Sequence, residues 1–134
     1  MLILRAVMTT PPRAAKPLRW IGSSRKNYMA FPQEVQETFG FELYLAQLGQ
    51  HPPSAKILKG LGSGVIELID RFDDDAYRAV YTVRFASAVY VVHAFKKKSK
   101  TGIKTPQTDI DLIKARLKDA EADNEYRLKS ESKP

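Results

Sequence analysis

The chain contains no cysteine, and its two histidines, His51 and His93, lie far apart. Without thiols there is no disulfide and no thiolate metal site, and two distant imidazoles do not make a zinc centre. No metal or cofactor is therefore expected. Long apolar runs are missing too, since nothing approaches the roughly 18 residues that a membrane span needs. The opening "MLILRAVM" is apolar but short, broken by Arg5 and followed by no small-residue cleavage site. It does not read as a signal peptide, and the expected location is the cytoplasm, with no membrane contact. Acidic residues are in deficit, with 15 Asp and Glu against 22 Lys and Arg and a net charge of +7. Such a field favours polyanions, nucleic acid first among them, although an acidic protein would feel it equally.

At 134 residues the sequence has the length of one domain. Residues 1–16, ending "TTPPRAAK", read as a flexible leader, and Met1 and Met8 are both candidate starts. Residues 17–128 read as the folded domain, and 129–134 as a disordered tail. "PLRWIG" (17–22) reads as a first strand. Pro32 opens a helix to about Gln47, with Val35, Phe39, Leu43 and Ala46 as its apolar stripe. Gly40 is a point where it could bend. Pro52-Pro53 break the pattern. Three runs rich in Val, Ile, Tyr and Phe follow at 64–72, 76–85 and 88–95, with short joins that predict an antiparallel meander. A basic loop leads to a second helix, with Thr105 as N-cap and Pro106 at its first position. The order β-α-β-β-β-α predicts a small α+β domain, a twisted antiparallel sheet with helices packed on one face.

Strand alternation sorts the charges. Arg78, Val80, Thr82 and Arg84 point one way, away from the core set Tyr77, Ala79, Tyr81, Val83 and Phe85. Lys96 falls with Tyr90, Val92 and Ala94 on the next strand, so Arg78, Arg84 and Lys96 are expected to share an exposed face. Lys56 and Lys59, three apart, reach the same region. Arginine forks and lysine point charges suit a string of phosphates. Taken alone, the loop Lys96–Lys100, with Lys97 and Lys98, reads first as a solvated guard on an edge strand. With the arginines added, nucleic acid is the better reading. His93 falls by parity with Val89, Val91 and Phe95, the setting of a satisfied core histidine. "GLGSG" lacks the Lys-Ser/Thr pair of a phosphate loop.

The stretch "KILKGLGSGVIELI", "AYRAVYTV", "VYVVHAFKKKSKTGIKTPQTDIDLIKARL" resembles the phage Gp49-like branch of the RelE/HigB toxin superfamily. The resemblance implies a RelE-like domain and a toxin of a type II toxin–antitoxin pair. It also implies a small helix-turn-helix antitoxin encoded in the same operon, with operator DNA met only through their complex. The best-known members act in the ribosomal A site and cut mRNA without a metal. By resemblance, Arg78, Lys56, Lys59 and Lys97 hold phosphates and stabilise the transition state, and His93 is the candidate acid or base. Many relatives carry "ELR" where this chain has "ELI", so Ile69 stands in place of an arginine, and Arg71 on the same strand face is the candidate substitute. Some nucleases of the superfamily end on a tyrosine or histidine; here Tyr126 is the nearest equivalent.

Three functions are expected, in this order: a ribosome-dependent mRNA endonuclease, a non-cutting toxin of this fold directed at DNA gyrase, and an inactive phage-derived nucleic-acid-binding module. The predicted sites are catalytic Arg78, His93 and Lys97, with Lys56, Lys59, Arg71, Arg84, Lys96, Lys98 and Lys100 on nucleic acid. The antitoxin is expected to cover this same cationic face.

Overall fold

The computed structural model of the protein describes residues 14–98 and 104–132. Most of the predicted leader, Lys100 and the side chain of Lys98 lie outside the described residues.

The elements in order are β1 (Leu18–Trp20), α1 (Ser24–Met29), α2 (Gln33–Gln47), β2 (Lys56–Ile57), β3 (Val65–Phe72), β4 (Asp75–Thr82), β5 (Val89–Lys98) and α3 (Gln107–Glu131). They form a five-stranded sheet in the order β1-β5-β4-β3-β2. The β3-β4-β5 meander is antiparallel, as expected, and turns between β3 and β4 through Asp73 and Asp74, both at positive φ. Two left-handed residues make the tight turn whose twist matches a hairpin, and aspartate tolerates that conformation better than most residues. β1 instead pairs parallel with β5, so the sheet is mixed.

The α+β class holds, but the sheet is covered on both faces rather than one. On the first face α1 and α2 pack Tyr28, Phe31, Val35, Phe39, Leu43 and Ala46 onto Ile66, Leu68, Ala79, Tyr81, Val89 and Val91. The predicted α2 stripe is fully used, and Val35, Phe39 and Leu43 each contribute about 1.5–3 kcal/mol on burial. α2 is continuous through Gly40, where an added Cβ would sit 3.3 Å from the Tyr28 hydroxyl. On the second face α3 lays Ile113, Leu117 and Ala120 against Val65, Val80, Tyr90 and Val92. Strand alternation makes these two cores the opposite sides of one sheet.

α3 begins at Gln107 with Pro106 as N-cap, one residue later than predicted, and Pro106 makes no side-chain cap bond. The Thr105 hydroxyl is used elsewhere. The helix continues through Glu131, into the stretch read as tail.

The pairing of β4 with β5 shifts register between Val80 and Tyr81: Val80 faces His93, whereas Tyr81 faces Val91. Val92 is thus an extra residue, and a bulge of this kind flips the parity of the strand beyond it. His93 and Phe95 therefore leave the face of Val89 and Val91 and join Arg78 beneath α3. Ala94 and Lys96 move to the face of Tyr77. Simple alternation had placed them the other way.

Candidate nucleic-acid interface

β3 and β4 place Glu67 opposite Val80 and Arg78 opposite Ile69. Glu67 and Arg78 are thus diagonal neighbours on the face α3 covers, within reach of long side chains. Arg78 Nη1 donates to Glu67 Oε1 at 2.9 Å, and both side chains are 1% exposed. The Thr105 hydroxyl donates to Glu67 Oε2 at 2.9 Å and lies 3.4 Å from Arg78 Nη1. Thr105, the residue before the N-cap of α3, therefore closes over the pair. This corrects the expectation that Arg78 shares an exposed face: the second face is not open, and a buried guanidinium there is neutralised by a carboxylate.

Above this pair opens a cleft of about 610 Å³ between the β2–β3 connection and the start of α3. Lys56, Lys59, Lys104 and Lys114 line it, and among the described residues Glu67 is its one acidic residue. Because Glu67 is already paired with Arg78, the lysines dominate the local field. Lys56, Lys59, Lys104 and Lys114 are all exposed. The apolar part of the lining, Leu58 and Ile110, places low-dielectric walls beside these charges, which strengthens attraction for an anion.

Of the residues predicted from sequence, Lys56 and Lys59 stand at the cleft with Arg78 below its floor. Lys97 joins them indirectly, its ammonium donating to the Lys104 carbonyl. Lys96 points to the other face, its ammonium 3.7 Å from Asp75. The backbone of Lys98 pairs with Asp75 at the strand end.

Arg71 is exposed at the far end of the β3–β4 hairpin, away from the lysine cleft. Arg84 lies beyond β4, and its guanidinium donates to the carbonyls of Ser63 at 3.1 Å and Leu61 at 2.8 Å. It fastens the glycine-rich loop, where Gly62 sits at φ +89° and an added Cβ would fall 2.5 Å from the Arg84 guanidinium. In this arrangement the Arg84 guanidinium is apart from Arg78 and is engaged with the loop carbonyls.

His93 is buried under α3. Its Nε2 lies 2.7 Å from Asp109 Oδ1, and its Nδ1 lies 3.4 Å from Arg116 Nη1. A guanidinium can only donate, so the tautomer with a proton on Nε2 satisfies both contacts. Arg116 also donates to the Val92 carbonyl at 3.0 Å and to the Ser23 hydroxyl at 2.9 Å. Together these bonds tie α3 to the bulge in β5 and to the turn before α1. His51 lies 3.2 Å from the Ala55 carbonyl in the proline loop, apart from all of this.

The sequence reading missed Glu67, Lys104, Thr105 and Lys114. For Lys114 a signal existed: Gln107, Ile110 and Lys114 succeed one another at helical spacing and therefore share a face. Among the described residues no group of three or more His, Cys, Asp or Glu could hold a metal ion.

Residues 26–118 match the family of phage-derived Gp49-like proteins (DUF891). The chain belongs to this family. The Gp49-like match takes in strands β2 to β5, the cleft lysines and the half of α3 that covers Arg78 and His93, while β1 lies before it. The Gp49-like family is known as a RelE/HigB-like toxin family, so the chain is a toxin-like, phage-derived protein for which an antitoxin partner is suggested. No curated protein matches it. Among the described residues no helix is long and apolar enough to cross a membrane.

Proposed function

We propose that this Gp49-like protein is a translation-inhibiting toxin that grips messenger RNA in the lysine cleft and cuts it on the ribosome. The observation that carries the reading is the convergence of Lys56, Lys59, Lys104 and Lys114 above a buried Glu67–Arg78 pair. Cleavage of RNA joins the ribose 2′-oxygen to the adjacent phosphorus and expels the 5′-oxygen. It needs a proton acceptor, a proton donor and cations around the crowded phosphorane. The lysines supply the cations. Glu67, the carboxylate that lines the cleft, is the nearest acceptor; Arg78 and Thr105 engage its two oxygens, so it takes a proton only once Thr105 at the start of α3 moves aside. His93 is committed to Asp109 and Arg116 and does not line the cleft. Its proposed acid or base role therefore requires a rearrangement at the start of α3.

That engagement of both His93 and Arg78 favours a second reading, a toxin of the same fold that binds without cutting, with DNA gyrase as target. A translating extract separates the two. Mapped mRNA ends should show ribosome-associated cuts with the wild type, strongly reduced in Lys59→Ala/Lys114→Ala. Glu67→Gln, compared at a temperature where its urea unfolding shows the fold intact, should lower the rate by roughly 10²–10⁴, the usual worth of one proton-transfer group. Intact mRNA together with growth arrest in cells would establish the non-cutting toxin instead. An antitoxin that neutralises the cleft is expected to bring acidic side chains to the same lysines, and its affinity should fall in Lys59→Glu/Lys114→Glu.

A further inference from the structure

A second pocket, of about 380 Å³, lies where α1 passes the end of β5, and half of its lining residues carry aromatic rings. Phe31 and Tyr77 meet edge to face at 5.0 Å on one side. On the other, Phe95 stacks on the His93 ring at 4.7 Å with planes 18° apart. The flip of parity at the β5 bulge puts Phe95 and His93 on one side of the strand and Ala94 and Lys96 on the other, so the pocket folds around the strand edge. Asn27 of α1 brings an amide to the wall, engaged through a long 3.4 Å contact to the Ser23 hydroxyl. Lys96 stands at the rim with its side chain about half exposed.

The volume falls within the range of small-ligand pockets, and flat aromatic walls suit a flat ring. Backbone pairing with an added strand is excluded at the floor, because Ala94 is 1% exposed. What the pocket offers is stacking surface, one amide for a ring edge, and one lysine, Lys96, at the mouth. Stacking on aromatics beside a positive track is how proteins hold single-stranded nucleic acid. Lysines link the two places here, with Lys96 and Lys97 on opposite faces of β5, so a bound strand passes around the edge of β5. Lys96 is at this rim, its neighbour Lys97 donates to the Lys104 carbonyl, and Lys104 lines the lysine cleft.

We infer that this pocket receives one nucleobase of a single-stranded RNA whose phosphates follow Lys96, Lys97 and Lys104 into the cleft. The inference rests on the RNA reading of the cleft. Phe95 supplies the stacking face and Asn27 the hydrogen bond to the base edge. His93 acts through its ring, held flat against Phe95, while its nitrogens stay with α3.

The experiment is a backbone-amide NMR titration of the full chain with a nucleoside monophosphate, inorganic phosphate and a tetranucleotide of RNA. The expected result is that the mononucleotide shifts Ala30, Ala94 and Phe95, whereas inorganic phosphate shifts Gly60 and Lys114 alone. Phe95→Leu, which keeps an apolar side chain, should weaken the tetranucleotide roughly tenfold, as loss of one stacked base does. Asn27→Ala should weaken it less, with the salt dependence unchanged in both. If the tetranucleotide shifts cleft residues alone and both variants bind it normally, the pocket inference falls and the RNA reading stands. If the tetranucleotide shifts nothing, the RNA reading falls and takes the pocket with it. If the pocket responds to an added antitoxin and never to RNA, it belongs to a protein contact and the inference is overturned.

Discussion

Arg78 and Glu67 form an ion pair at 2.9 Å with both side chains 1% exposed, on neighbouring strands and beneath the residue that leads into α3. A guanidinium this deep, neutralised by its carboxylate partner, is a structural commitment. The pairing changes what a substitution at either position reports.

Arg78→Ala should destabilise the fold by about 3–5 kcal/mol, because it leaves the Glu67 carboxylate buried without its partner. Removing both charges together, as Arg78→Met/Glu67→Leu, should cost far less. Urea unfolding of the two singles and the double gives the coupling directly. Additive losses would show that the pair is not the determinant of stability there. Loss of toxicity in Arg78→Ala alone therefore does not identify a catalytic arginine.

His93 and Asp109 should be energetically coupled. Either Asp109→Ala or His93→Ala breaks a partly buried bond between β5 and α3 and should cost about 1–3 kcal/mol. Hydrogen exchange should then accelerate in the first turns of α3 while the β3–β4 hairpin stays protected. Uniform loss of protection across the chain would argue against a local fastening.

Arg84→Ala should loosen the loop from Gly60 to Gly64, since the guanidinium holds the Leu61 and Ser63 carbonyls. The cost should be about 1 kcal/mol, with RNA affinity little changed. Lys59→Ala should do the reverse, weakening RNA binding with stability intact. A large affinity loss in Arg84→Ala would return that residue to the phosphate grip.

Alkaline pH should unfold the protein through its tyrosines. Burial pushes the Tyr81 hydroxyl well above its usual 10.0, with the nearby Glu42 charge adding to the rise. Tyr28 is raised by burial, and Tyr90 by burial and by its bond to Asp123. A raised folded value means the native state keeps the proton that the unfolded chain releases. Stability from these groups is complete below about pH 10 and declines as pH rises through and beyond it. Tyrosinate absorbance should then appear together with the loss of tertiary structure. A full tyrosinate signal from a still-folded chain would contradict the burial of Tyr81.

Much of the fold was legible because its signals are local. The α2 stripe, the hairpin turn and the three long strands are set by spacing and residue type. α1 and β2 were not, since six and two residues carry no usable period. The position of His93 was lost to the bulge at Val92, which depends on how two strands meet and leaves no mark in either one. Arg78 was read as exposed because the narrow apolar face of α3, Ile113, Leu117 and Ala120, gave no sign of which sheet face it would cover. Lys56 and Lys59 were visible as candidates from charge and spacing. Lys104 and Lys114 join them only once α3 is folded back across the sheet. Glu67, a carboxylate between Val65 and Ile69 on one strand face, was the readable hint that a cation lay beneath.

The central claim is that the lysine cleft holds RNA phosphates. The most direct measurement is the salt dependence of single-stranded RNA affinity for the wild type and for Lys59→Ala/Lys114→Ala. Each lost contact should reduce the slope of log affinity against log salt by about 0.7, so the double variant should bind more weakly with a slope shallower by about 1.4. Equal slopes and equal affinities in the two proteins would contradict the account.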